Sequence, residues 1–185
     1  MESGSLTHLL LGKDLRTIRQ NRIVVQSIND QQTFDELFAL VFHHERQLVM
    51  RAVDAVEKVT SKHPEFLKPH KFQLLSILKS ADHKELKWHI AQLIPRVDLS
   101  TEELEKVWHT LSYWVLNKNE SKIVRVNALQ GLFDLSQKYV GLKPDVENIF
   151  AAIEHEMIPS MQARIRKLKK NQKRLNNVKT VEVKI

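Results

Sequence analysis

Several short strings in this 185-residue chain carry side-chain types that enzymes use. His43, His44 and Glu45 are three metal-ligand types in succession, but a single-metal centre needs ligands converging from separated positions. His155 and Glu156 begin the H-E-x-x-H zinc string, in which two histidines one helical turn apart share a face. Pro159 stands where the second histidine is required, so that motif fails. Gly12 and Lys13 lack both the earlier glycine and the following hydroxyl of a phosphate loop. No serine sits between the glycines of a nucleophile elbow. Cysteine is absent, which excludes disulfides, thiolate metal sites and a thiol nucleophile. Glu102 and Glu103 are explained by the positive end of a helix dipole. No cofactor and no metal are expected, and no catalytic motif is found.

Charge is unevenly distributed. Lysine plus arginine number 29 against 22 acidic residues, a formal +7. Residues 1–150 hold 20 basic and 19 acidic side chains, so the excess belongs to the C-terminal end. There Arg164, Arg166, Lys167, Lys169, Lys170, Lys173 and Arg174 place seven cations in eleven residues with no acid among them. Such a run attracts phosphate, anionic lipid or an acidic protein patch. It equally suits the negative end of a helix dipole at a solvated cap. Nucleic-acid binding through this basic helix is therefore the second functional reading. The apolar run Leu9 to Leu11 is far shorter than the about 20 residues that span a bilayer, and it lacks a basic flank. No membrane span is expected, and the cytoplasm is the default compartment.

The elements that position these residues follow from composition and period. Hydrophobic residues make up 42% and charged ones 28%, a globular balance. The length suits one domain, expected over 1–175, with a flexible tail at 176–185. Thr33 with Glu36, Asp82 with Glu85, and Ser100 with Glu103 have the spacing of helix N-caps. Each precedes apolar residues three and four apart, such as Leu104, Val107, Leu111 and Trp114. Pro69 and Pro144 suit first helical turns, while Pro64, Pro95 and Pro159 mark ends or kinks. Alternating strand-like patterning is confined to Val178–Ile185. The chain reads as all-α.

An internal repeat sharpens that reading. The tripeptide LKP at Leu67–Pro69 returns at Leu142–Pro144, 75 residues on. A shift of 38 aligns LVMRAVDAV (Leu48–Val56), LKWHIAQLI (Leu86–Ile94) and VRVNALQGL (Val124–Leu132). Ala52, Ile90 and Ala128 then coincide, as do Val56, Ile94 and Leu132. A hairpin of about 37 residues cannot close a core alone, so neighbours must stack. This pattern, clearest in IVRVNALQGL at Ile123–Leu132, resembles HEAT and armadillo-type repeats over roughly residues 10–170. The strings RAVDAVEKVTSKHPEFLKPHK and ELKWHIAQLIPRV look like those of a little-characterised, mostly bacterial HEAT-repeat group. The resemblance implies a right-handed α-solenoid of about four hairpins behind an N-terminal capping helix near Asp14–Ile28. The hairpins pair Phe34–His43 with Glu45–Thr60, Pro69–Ser80 with His83–Arg96, Thr101–Leu116 with Ser121–Tyr139, and Pro144–Met157 with Ser160–Leu175.

The repeat register also selects a candidate surface. Opposite the core positions, successive inner helices carry Arg51, Asp54 and Lys58, then His89, Gln92 and Arg96, then Asn127, Gln130 and Asp134, then Arg166 and Lys170. Spacings of three and four place each set on one stripe. Stacking would turn the stripes into a ladder on the concave side, with Trp88 beside it in the register of Met50 and Val126. A polar stripe is also what any solvated helix face presents. The leading expectation is a non-catalytic scaffold or adaptor that receives a protein partner on this ladder. DNA-alkylation glycosylases resemble the chain in fold and use a basic concave channel beside a catalytic aspartate. Here the charge is terminal, and Gln92 rather than an aspartate lies four residues after Trp88. HEAT-like repeats also occur in bilin lyases, whose chemistry no residue here carries. Repeat motifs encode packing and say little about function.

Overall fold

The computed structural model describes residues 3–11 and 17–182, with the side chains of 6–11 and 22–174. Two compact units divide the chain, Met1–Ser100 and Thr101–Ile185. The first holds α1 (Ser3–Leu11), α2 (Thr17–Ser27), α3 (Gln31–Ala39), α4 (Arg46–Thr60), α5 (Lys71–Ser80) and α6 (Lys84–Leu93). The second holds α7 (Thr101–Leu116), α8 (Lys122–Lys138), α9 (Lys143–Glu154) and α10 (Pro159–Glu182). No strand occurs among the described residues. Where the sequence suggests one capping helix at Asp14–Ile28, α2 covers most of that span and α1 precedes it; Asp14 lies outside the described residues. The alternating segment is helical as far as Glu182, so α10 runs past residue 175, where the repeat periodicity ends the domain.

In the first unit α4 is the central element, packed by α1, α2, α3 and α6. Its buried residues Leu48, Ala52, Val53, Ala55, Val56 and Val59 recur at helical spacing. The alanines bury little side chain and let the neighbouring helices approach closely. Asp30, not Thr33, caps α3: its carboxylate accepts the Thr33 backbone N–H at 2.8 Å and the Thr33 hydroxyl at 2.9 Å. Those bonds hold the Asp30 carboxyl below its ordinary range. A 3₁₀ segment, Pro64–His70, takes up Pro69, so α5 begins only at Lys71. Pro95 lies in the 3₁₀ turn Ile94–Arg96 that follows α6.

In the second unit α8 plays the same part, packing on α7, α9 and α10. Val124, Ala128, Leu129, Leu132, Phe133 and Leu135 are all buried, leaving little of α8 to solvent. A helix apolar around most of its circumference must be enclosed by others. Ser121 caps it, accepting the Val124 N–H at 3.4 Å. Between α9 and α10, Met157 takes the left-handed conformation at φ 54°, which reverses the chain without a glycine.

Candidate functional site

Helices α4, α6 and α8, with the 3₁₀ turn that follows α6, carry the first three sets of ladder positions, and the structure sorts the residues into two groups. Arg51, His89 and Asn127 are buried rather than presented to solvent. The Arg51 guanidinium donates to the Leu10 carbonyl in the last turn of α1. Asn127 donates its amide to Ile123 O one turn back, at 2.8 Å. Arg96 is largely withdrawn too: it donates to Glu57 O and Thr60 Oγ1, each at 2.7 Å, and pairs with the Glu57 carboxylate at 2.5 Å. Arginine suits this work because its planar fork meets several acceptors at once. Arg51 meets a carbonyl in the last turn of α1, where carbonyls lack intrahelical donors, and Arg96 adds a second donor to Glu57 O, which also accepts the Ser61 N–H at 3.0 Å.

The pair between Arg96 and Glu57 is only about one-fifth exposed on either side. Arg96→Leu is therefore expected to destabilise the first unit by about 2 kcal/mol. Arg96→Lys should recover less than half, because one ammonium cannot span all three acceptors. Urea unfolding followed through Trp88 fluorescence measures both; equal stability of the leucine variant and wild type would refute this role.

The second group remains accessible. On α4, Lys58 Nζ meets Asp54 Oδ2 at 2.5 Å, with both side chains partly exposed. On α6, half-buried Gln92 donates to Trp88 O at 3.3 Å. On α8, Gln130 donates to Asp134 Oδ1 at 2.8 Å and accepts from Arg164 Nη1 of α10 at 2.7 Å. Burial works against the Arg164 charge, and Asp134 offsets part of that penalty. Asp54 with Lys58 and Gln130 with Asp134 occupy the same repeat register, two periods apart, and both are coupled across one helical turn.

His89 lies beneath the first of these pairs. Its ring stacks on Trp88, it is 2% exposed, and its Nδ1 has no partner. Desolvation lowers its pKa from 6.5 to about 4; Asp54 works against that shift and Lys58 with it. At neutral pH it is an uncharged imidazole, and the accessible charge here belongs to Asp54 and Lys58.

Other clusters lead elsewhere. His43 accepts the Glu45 N–H on Nδ1 at 3.0 Å and stacks on His44. Among the described residues no group of three metal-ligand side chains converges. His70 Nε2 meets Asp35 Oδ1 at 2.7 Å, a link 35 residues long that sequence reading missed. Its ring stacks on Phe38 at 4.0 Å and its Nδ1 is buried, so neither nitrogen faces a ligand; the pair clamps the 3₁₀ segment onto α3. Arg125 was missed as well. It is 2% exposed and donates to Val115 O at 2.7 Å and to Glu156 at 2.8 Å. A lone arginine between Val124 and Val126 in an apolar run is the signal that could have found it. An open groove of about 460 Å³ runs along α7 beside His109, Ser112, Tyr113, Leu116 and Asn117.

Successive antiparallel helical hairpins, with arginines closing the carbonyl ends and polar couples in a repeating register, define a helical-repeat protein. A family model of the HEAT repeat domain matches residues 10–172, and the chain belongs to the HEAT-repeat family. No curated protein and no solved structure matches it. No helix among the described residues is long and apolar enough to cross a membrane.

Proposed function

We propose that the protein is a non-catalytic scaffold or adaptor that receives a protein partner on its inner-helix surface. The observation carrying this reading is the recurrence of a coupled polar pair at one register, Asp54 with Lys58 on α4 and Gln130 with Asp134 on α8. Coupling across one turn fixes these side chains before any partner arrives, so less side-chain entropy is lost on association. The half-buried Trp88 of α6 adds an aromatic anchor beside the first pair, a residue type enriched in interface hot spots. Arg51, Asn127 and most of Arg96 serve packing instead. Each unit thus keeps a patch of its own: Asp54, Lys58, Trp88 and Gln92 in the first, and Gln130, Asp134 and Arg164 in the second.

Site-specific photo-crosslinking in the native cell tests this. A benzophenone side chain at Lys58 or Gln130 should capture one common protein, while the same group at Gln73 or Lys106 on outer helices should not. The charge swap Asp54→Lys with Lys58→Asp keeps the ion pair but reverses its polarity, and should reduce capture at Lys58 by about ten-fold. Equal capture from inner and outer positions, or indifference to the swap, would argue against this surface.

A further inference from the structure

On α10, Met161, Ile165 and Leu168 form the buried stripe that packs this helix onto the second unit. Two of the seven basic residues flank that stripe and are engaged within the unit. Arg164 reaches Gln130, and Lys169 pairs with Glu154 at 2.8 Å. The other five, Arg166, Lys167, Lys170, Lys173 and Arg174, are exposed. At 100° per residue they fill an arc of about 120° centred opposite the stripe, along about 12 Å of helix. No ion pair joins any of them to a carboxylate among the described residues, and between residues 160 and 174 Ala163 is the only apolar residue within their arc. Residues 159–185 hold nine basic residues and one acidic, so nothing on the helix before Glu182 neutralises them.

That arrangement works against the helix itself. Arg166, Lys170 and Arg174 are like charges four apart, and Lys167, Lys170 and Lys173 are like charges three apart, each spacing repulsive. Among the described residues no acid compensates them, which leaves the face open to an external anion. We propose that the outward face of α10 docks onto the phosphate backbone of duplex nucleic acid without reading its sequence. This goes beyond the adaptor reading and rests on none of the residues assigned to it.

The side chains on and off that arc favour this partner. A duplex presents about one phosphate per 1.7 Å of axis, matching the dense cations more closely than the spaced carboxylates of an ordinary protein surface. Without an aromatic side chain on the arc, there is no platform for stacking unpaired bases. Between residues 160 and 174 no asparagine or glutamine falls on it, so that stretch lacks the amides that pair with adenine edges. A bilayer would require an apolar face free to insert, and the apolar face of α10 is buried in the protein.

Fluorescence anisotropy of the full chain with a labelled duplex of roughly 20 base pairs tests the proposal. Log affinity should fall against log salt with a slope near −4, about 0.9 per phosphate contact. Arg166→Gln, Lys170→Gln and Arg174→Gln together should flatten the slope by about 3 and weaken binding at least ten-fold near 100 mM salt. Lys118→Gln with Lys122→Gln, exposed cations elsewhere in the unit, should leave both values unchanged, and a scrambled duplex should bind equally. Circular dichroism checks that the triple variant stays helical; if it does not, the Lys167→Gln, Lys173→Gln pair carries the same comparison with a slope change near 2. Absence of duplex binding at about 50 mM salt, or full binding by folded variants, would overturn the proposal. So would a preference for phosphatidylglycerol vesicles or polyglutamate over the duplex. None of these outcomes bears on Asp54 or Lys58, so the adaptor reading stands or falls separately.

Discussion

Arg125→Met should destabilise the second unit by about 3–5 kcal/mol, while Arg125→Met combined with Glu156→Leu should recover most of that loss. The guanidinium is almost fully enclosed, and Glu156 is only 14% exposed. Removing the arginine alone leaves a desolvated carboxylate without its counter-charge and strips the Val115 carbonyl, near the end of α7, of a buried donor. Removing both charges leaves only the carbonyl unsatisfied, at about 1–3 kcal/mol, partly offset by new apolar contact. Urea unfolding in a Trp88→Phe background isolates the second unit, whose tryptophans are Trp108 and Trp114. A single variant that loses less than about 1 kcal/mol, or a double variant no better than the single, would show that the pair is not what closes α7 onto α8.

Lowering the pH from 7 to 4 should cost the first unit about 3 kcal/mol through His89 alone. In the unfolded chain this imidazole takes up a proton near pH 6.5, whereas burial delays protonation in the folded protein to about pH 4. Between those values the unfolded state binds more protons, so stability falls as the pH drops; below about pH 4 the penalty levels off. Above pH 6.5 the contribution vanishes, because both states are neutral. His89→Leu removes the titrating group, so the difference between wild type and variant isolates it from the other histidines. The variant should lose the steep stretch of the stability profile and keep the rest. Trp88, stacked on the ring, reports the transition by fluorescence. Parallel profiles for the two proteins between pH 6.5 and 4 would rule out the buried neutral state.

Much of the architecture was legible because packing repeats itself. The same aliphatic and small residues return every 37 or 38 positions, since each hairpin must fit the one before it, and the limits of α7 and α8 agree closely with those expected. Local chemistry was harder to read where two caps compete. Asp30 and Thr33 both have cap spacing, and the carboxylate wins by accepting two bonds from Thr33. The candidate surface was legible as a register but not as a list. Asp54, Gln92, Gln130 and Asp134 keep at least partial exposure, whereas Arg51 and Asn127 on the same helices do not.

The sequence by itself determined the helical class, the repeat period, the apolar stripes and the basic character of α10, all of which depend on residues a few positions apart. Tertiary structure decided which charged side chains stay inside. An arginine at the edge of a stripe can extend into water or turn inward onto a carbonyl, and its neighbours in sequence do not distinguish the two. The choice depends on whether a helix from elsewhere ends within reach, as α1 does for Arg51, α4 for Arg96 and α7 for Arg125. Where a buried carbonyl would otherwise go unpaired, that cost exceeds the cost of desolvating a well-bonded guanidinium. At Glu57, whose carbonyl also accepts the Ser61 N–H, the carboxylate and the Thr60 hydroxyl add the further acceptors that hold Arg96.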